Sequence, residues 1–275
     1  MYTHLQLRGS DRPPVTLSTL ARMKEDGAKI ASLTCYDASF AVLLDAADVD
    51  VVLVGDSLGM VIQGHDTTVP VTMDDIVYHS RAVARGVHRP FLIADLPFMS
   101  YPSKAEALSN SVRLMQEGGA KMVKLESGGT QIEIVEFLAS HDIAVCAHLG
   151  LKPQSVHKTG GFRVQGREQD AAELMMANAK RLESAGADIV LLECIPSALG
   201  AAITQALQVP VIGIGAGPGT DGQILVLYDI LDITTGRKPR FVQNFMDGAG
   251  TNQQALANYV EAVRNGSYPA PEHEF

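Results

Sequence analysis

Short apolar runs alternate along this chain with segments of helical periodicity, and the runs end alike. Val51–Val54 stops at Gly55-Asp56-Ser57, Phe91–Ala94 at Asp95, Met122–Leu125 at Glu126, Ile143–Ala147 at His148, and Ile189–Leu192 at Glu193. Runs that do not alternate mark strands covered on both faces, as in a parallel sheet. Lys29–Cys35 and Val211–Ile214 read as further strands, and Arg240–Val242 as an eighth.

Between them lie amphipathic helices with start and stop signals. Leu17–Asp26 ends at Gly27, and Asp37 caps a helix with Phe40, Leu43, Leu44 and Ala47 on one face. Thr72 with Asp75, Ser103 with Glu106, and Thr130 with Glu133 have capping-box spacing. Asp170 and Glu173 open a helix that stops at Gly186, Ser197 caps a short one, and Asn252–Arg264 carries a last helical stripe. Met1–Thr16 reads as a loose arm. Two long polar breaks, Gln63–Pro70 and Leu149–Gln169, exceed what a minimal connection needs, which points to functional loops.

Strands alternating with helices predict a parallel sheet. A single-domain (β/α)8 barrel, with an N-terminal arm and helix and a C-terminal helix, is favoured over an open doubly wound sheet. Polar groups recur at strand ends, and that rim is where barrel sites lie.

Composition narrows the function. The 275 residues are 46% apolar and 19% charged, enough for a large core. A net charge of -9 disfavours nucleic acid and anionic membranes as partners. Cys35, Cys146 and Cys194 are too far apart for zinc-site spacing, and read as core residues in a reducing cytosol. The polar N-terminus lacks a signal-peptide segment, which gives a soluble cytoplasmic expectation.

The strand-end residues suggest chemistry. Asp56 and Asp95, on neighbouring strands, can share a hard cation such as Mg²⁺, with Glu126 adjoining directly or through water. Against this, each Asp could simply be a turn residue or helix cap. Lys124 and Glu126 point the same way from one strand, able to pair with each other or meet a substrate carboxylate, or to form a structural ion pair. His148 could be structural or could donate to a developing enolate oxygen. Glu193, after I-V-L-L, is placed for acid-base work because burial raises a carboxyl pKa. Gly55 and Ser57 offer backbone donors to a carboxylate. G-I-G-A-G at Gly213–Gly217 does not make a dinucleotide fingerprint, and His157–Arg167 reads as a mobile basic lid or a solvated loop.

Y-D-A-S-F, V-G-D-S-L-G-M, G-H-D-T-T-V-P-V-T, A-D-L-P-F-M, V-K-L-E, H-L-G-L-K-P-Q, V-Q-G-R, L-E-C-I-P and G-I-G-A-G occur in order between about Thr34 and Phe245. Together they closely resemble the ketopantoate hydroxymethyltransferase family. Ala147 and Lys152 depart from the expected Gly and Thr around the histidine motif. The resemblance implies a (β/α)8 barrel in a homo-oligomer, typically a decamer built from pentameric rings. It implies one-carbon transfer from 5,10-methylenetetrahydrofolate to 3-methyl-2-oxobutanoate through a Mg-stabilised enolate, giving ketopantoate for pantothenate and coenzyme A. It implies that Asp56 and Asp95 hold Mg²⁺ with Glu126 nearby, that Ser57 and Lys124 engage substrate beside His148, and that Glu193 is the acid-base residue. The enzymatic rival, an isocitrate lyase-like Mg-enolate lyase or mutase, would bring a K-K-C-G-H loop, which is absent here. A barrel that only binds a metabolite would leave these polar strand ends idle.

Overall fold

The computed structural model describes residues 12–236 and 238–275. Eight parallel strands close into a barrel in chain order, with the last pairing to the first. They are β1 (Ile30–Thr34), β2 (Val51–Val54), β3 (Phe91–Asp95), β4 (Met122–Glu126), β5 (Val145–Gly150), β6 (Ile189–Glu193), β7 (Val211–Ile214) and β8 (Gly222–Leu225). The surrounding helices begin with α1 (Leu17–Glu25), α2 (Ala38–Ala46), α3 (Leu58–Val61), α4 (Met73–Ala84), α5 (Lys104–Gln116) and α6 (Ile132–Ala139). They continue with α7 (Val156–Thr159), α8 (Gln169–Ser184), α9 (Ser197–Ala206), α10 (Leu227–Ile230) and α11 (Asn252–Asn265).

Two apolar layers follow from the period-two geometry of strands. One set, including Val52, Val54, Leu92, Ala94, Val123, Leu125, Val190 and Leu192, packs under the helices. The other, including Val51, Leu53, Phe91, Ile93, Met122, Cys146, Ile189 and Leu191, fills the barrel. Continuing the second set upward by two residues reaches Asp95, Lys124, His148 and Glu193. Leu20 of α1 and the preceding Val15 join the inner cluster and plug the bottom.

Several expectations are corrected. The eighth strand is Gly222–Leu225, not Arg240–Val242. Its glycine is required: a Cβ at Gly222 would lie 2.4 Å from the Ile30 carbonyl oxygen, where β8 closes on β1. Arg240 instead lies at the rim and donates from Nε to the Glu272 carbonyl at 2.8 Å. Residues 1–11 of the expected loose arm lie outside the described residues, but its end is seated. Val15 is buried and donates its N–H to the Arg89 carbonyl at 2.8 Å.

The capping box at Thr72 and Asp75 forms, and Ser103 accepts the Glu106 N–H. The Thr130–Glu133 box does not form, because a short 3-10 turn at Gly129–Gln131 carries the chain into α6. Asp170 and Ser197 lie inside their helices, whose cap positions Glu168 and Pro196 provide no side-chain bond.

Candidate active site

At the C-terminal rim a cavity of about 1170 Å³ opens among the strand ends. Asp56, Ser57, Asp95, Lys124, His148 and Glu193 all line it. The barrel thus gathers six of the seven expected site residues around one space. Glu126, the seventh, is buried at the end of β4 and does not line it. The first long polar loop contributes His65, Asp66 and Thr68, and the second contributes Phe162, Arg163 and Val164. The second loop is tied back to the rim where the Gln165 N–H donates to the Cys194 carbonyl at 2.9 Å.

Strand register decides the partner of Lys124. Asp95 and Lys124 are paired positions on β3 and β4, and Lys124 Nζ lies 2.6 Å from Asp95 Oδ2. Asp95 Oδ2 also accepts the Asp56 N–H at 3.3 Å. Glu126 accepts the backbone N–H of Gln154 at 2.7 Å. Ser57 is held by the Tyr36 hydroxyl at 2.8 Å.

The electrostatics are lopsided, with four carboxyl groups surrounding one ammonium. Burial works against the charge of Lys124, but Asp95, Asp56 and Glu126 outweigh it and raise its pKa. Burial raises Asp95 despite Lys124, with the Asp56 charge adding to the rise. Burial pushes Glu126 up to about 8 and Glu193 to about 7, with Lys124 offsetting part of each rise. Burial, followed by the Lys124 charge, drives His148 well below the ordinary histidine range, so its ring is neutral. His148 Nε2 lies 3.3 Å from Glu193 Oε2, yet neither ring nitrogen makes an aligned hydrogen bond to any described residue.

This arrangement fits a divalent cation. Asp95 Oδ1 is buried and accepts no hydrogen bond from a described residue. An unpaired buried carboxylate oxygen beside a second carboxylate is a strong pull on positive charge. Among the described residues no three His, Cys, Asp or Glu side chains cluster well enough to hold a metal alone. Asp56 and Asp95 could hold such a cation as a pair only with further ligands from outside these side chains, as is usual for a hard divalent ion.

Gly150 shapes the Glu193 corner. Its φ is +95°, and a Cβ there would sit 2.1 Å from the Glu193 carbonyl oxygen, so only glycine lets β5 pass β6 so closely. The G-I-G-A-G turn is filled rather than open, since a Cβ at Gly215 would lie 2.7 Å from the Phe241 ring.

Sequence reasoning missed Gln154 and Tyr101. Gln154 Nε2 donates to Asp56 Oδ2 at 2.9 Å and to the Leu96 carbonyl at 3.0 Å, while its Oε1 accepts from the Tyr101 hydroxyl at 2.6 Å. The only signal was the glutamine closing H-L-G-L-K-P-Q. The far wall was also missed, with Tyr228, Phe241 and Phe275 lining it. Phe241 and Phe275 stack edge to face at 6.4 Å, and the Arg240 guanidinium lies 5.9 Å from the Phe275 ring centroid. The three cysteines are free and buried, in keeping with core roles.

Comparison with known proteins matches residues 14–271 to the model of a family described as ketopantoate hydroxymethyltransferase. A 3-methyl-2-oxobutanoate hydroxymethyltransferase of Alkalilimnicola ehrlichii is 60% identical over 264 residues, covering 96% of this chain and 95% of the relative. Its counterpart in Halorhodospira halophila is 56% identical, covering 95% and 94%. Among solved structures, oxaloacetate acetylhydrolase with 3,3-difluorooxalacetate superposes with a TM-score of 0.59 at 14% identity, covering 95% of this chain and 100% of that one. A 2,3-dimethylmalate lyase of the PEP mutase/isocitrate lyase superfamily gives 0.58 at 17% identity, covering 77% and 80%. At such identities the structural likeness speaks to the barrel alone.

Proposed function

Because the chain belongs to the ketopantoate hydroxymethyltransferase family, we propose that its barrel mouth transfers a one-carbon unit from 5,10-methylenetetrahydrofolate to 3-methyl-2-oxobutanoate, making ketopantoate. The observation that carries this reading is the convergence of Asp56, Asp95, Lys124, His148 and Glu193 on one cavity. When bound, Mg²⁺ supplies Lewis acidity toward the keto and carboxylate oxygens of a 2-oxo acid.

The residues divide the remaining work. Ser57, fixed by Tyr36, and Lys124 orient the substrate carboxylate. Glu193 takes the proton from C3, and a pKa near neutrality lets it both accept and return a proton at physiological pH. Neutral His148 has unpaired ring nitrogens, so its N–H is free to steady the oxygen that gains negative charge. The C3 carbon then attacks the methylene unit. Overall one carbon–carbon bond forms, water supplies the hydroxyl, and tetrahydrofolate leaves.

The cavity is far larger than a five-carbon 2-oxo acid requires, which supports a second, bulkier substrate. Its outer part carries Phe162, Tyr228 and Phe275 with Arg163, suited to a flat heterocycle bearing carboxylates. Tyr228 packs against Tyr36, with ring centroids 5.9 Å apart and the planes tilted, and so joins this wall to the Ser57 side.

Membership of the family is what supports a homo-oligomer here, with a decamer expected by light scattering. Among the described residues no helix is long and apolar enough to cross a membrane.

Incubation with Mg²⁺ and 3-methyl-2-oxobutanoate in D₂O should exchange the C3 proton, read by NMR, and adding methylenetetrahydrofolate should then yield ketopantoate. Exchange without product would contradict the folate-dependent transfer. Absence of both would overturn the enzymatic reading.

A further inference from the structure

We propose that Gln154 is a positioning residue for the cation site, setting the carboxylate of Asp56 and anchoring the adjoining loop to it. The inference rests on the reading of Asp56 and Asp95 as Mg²⁺ ligands. Gln154 is 5% exposed and touches three strand ends at once. Its Nε2 forks to Asp56 Oδ2, which follows β2, and to the Leu96 carbonyl, which follows β3. Its own N–H reaches Glu126 Oε1 at the end of β4.

The orientation of the amide is determined by its neighbours. The Leu96 carbonyl can only accept, so the NH₂ must face it, and the Tyr101 hydroxyl then donates to Oε1 at 2.6 Å. Both amide ends are therefore satisfied in one orientation, and the reversed one would set oxygen against oxygen at Asp56 and Leu96. Holding one Asp56 oxygen this way leaves the other to turn toward Asp95 and the cavity.

The pattern is that of an outer partner which orients a metal-ligating carboxylate, whose loss characteristically lowers metal affinity on the order of 10–100-fold. Gln154 also opens the loop that continues through α7 to Phe162 and Arg163 on the cavity wall. The same residue thus seats that loop on the cation site.

The test is calorimetric Mg²⁺ titration without substrate, on the full chain. Gln154→Met keeps the bulk, removes the donor and adds no charge. It should bind Mg²⁺ at least tenfold more weakly, while Tyr101→Phe, which leaves the amide Oε1 without its donor and loosens the side chain, should lose about threefold. Gln154→Asn, one methylene short, should not restore affinity. A folded Gln154→Met protein with Mg²⁺ affinity within twofold of wild type overturns the proposal. If Gln154→Met does not fold, Tyr101→Phe decides, and unchanged Mg²⁺ affinity there overturns it. A wild-type protein that takes up no Mg²⁺ overturns the metal reading itself, together with this inference.

Discussion

Replacing Glu193 by Gln should stabilise the protein and nearly abolish turnover. Burial lifts the Glu193 carboxyl from 4.5 to about 7. Between those values the unfolded chain ionises at 193 while the folded chain keeps its proton, so unfolding becomes easier as pH rises. Each pH unit in that window lowers the unfolding free energy by about 1.4 kcal/mol. The loss starts above the unfolded value and is complete above the folded one, reaching about 3 kcal/mol by pH 8. The side chain keeps 16% of its surface exposed, and water reaching it from the cavity reduces this to about 2 kcal/mol.

Gln has the shape of the protonated acid but does not titrate. Glu193→Gln should therefore differ from wild type by less than about 1 kcal/mol at pH 5 and exceed it by about 2 kcal/mol at pH 8. The chain has no Trp, so urea unfolding of metal-free protein is best followed by far-ultraviolet circular dichroism at matched protein concentration. Turnover should fall on the order of 10²–10⁴-fold, the range for losing a positioned acid-base group. A stability gap equal at pH 5 and pH 8 would refute the raised pKa, and near-normal turnover would remove Glu193 from proton transfer.

Four further outcomes follow from the same geometry. Asp95→Asn should weaken Mg²⁺ binding on the order of 10-fold or more in calorimetry, and an unchanged isotherm would contradict its assignment as a ligand. Gly150→Ala should lower stability by about 2–4 kcal/mol in urea melts, because its Cβ meets the Glu193 carbonyl at 2.1 Å and its φ is +95°. Gly27→Ala, with a similar φ but open space around it, should lose only about 1 kcal/mol. Phe275→Ala should raise the KM for the folate about 3–10-fold while leaving that for the 2-oxo acid unchanged, as expected from removing one stacking ring. Equal rises for both substrates would count against an outer folate chamber.

Seven strands were legible because each is an apolar run covered on both faces. β8 escaped notice because its sequence, Gly222-Gln223-Ile224-Leu225, contains a glycine required by close approach to β1 and a buried glutamine. That glutamine holds the preceding turn, donating from Nε2 to the Gly217 carbonyl at 3.0 Å and to Thr220 at 2.8 Å. Such residues satisfy long-range constraints that no local period encodes.

The residues of the candidate site were legible where a polar side chain ends a strand, as at Asp56, Asp95, His148 and Glu193, which line one cavity. The partner of Lys124 was not, since sequence spacing favours Glu126 while interstrand register places Asp95 beside it. Gln154 and Phe275 stayed hidden for another reason. Their places depend on how a loop and the C-terminal segment cross the mouth, which strand periodicity does not specify.

The inward rails of the barrel also constrain how such a protein can change over generations. Lys124 stands two residues above Met122 and two below Glu126, so all three share one side of β4. Deleting a single residue from that strand would send the ammonium into the helix layer and bring Val or Leu into the mouth, ending chemistry and folding together. Point substitutions at the upper positions carry no such penalty, because the apolar residues below them hold the register. Chemistry on this scaffold can therefore diversify by exchange at fixed heights, while insertions and deletions are confined to the loops. Barrels with as little as 14% identity to this chain can then keep its architecture across almost their whole length.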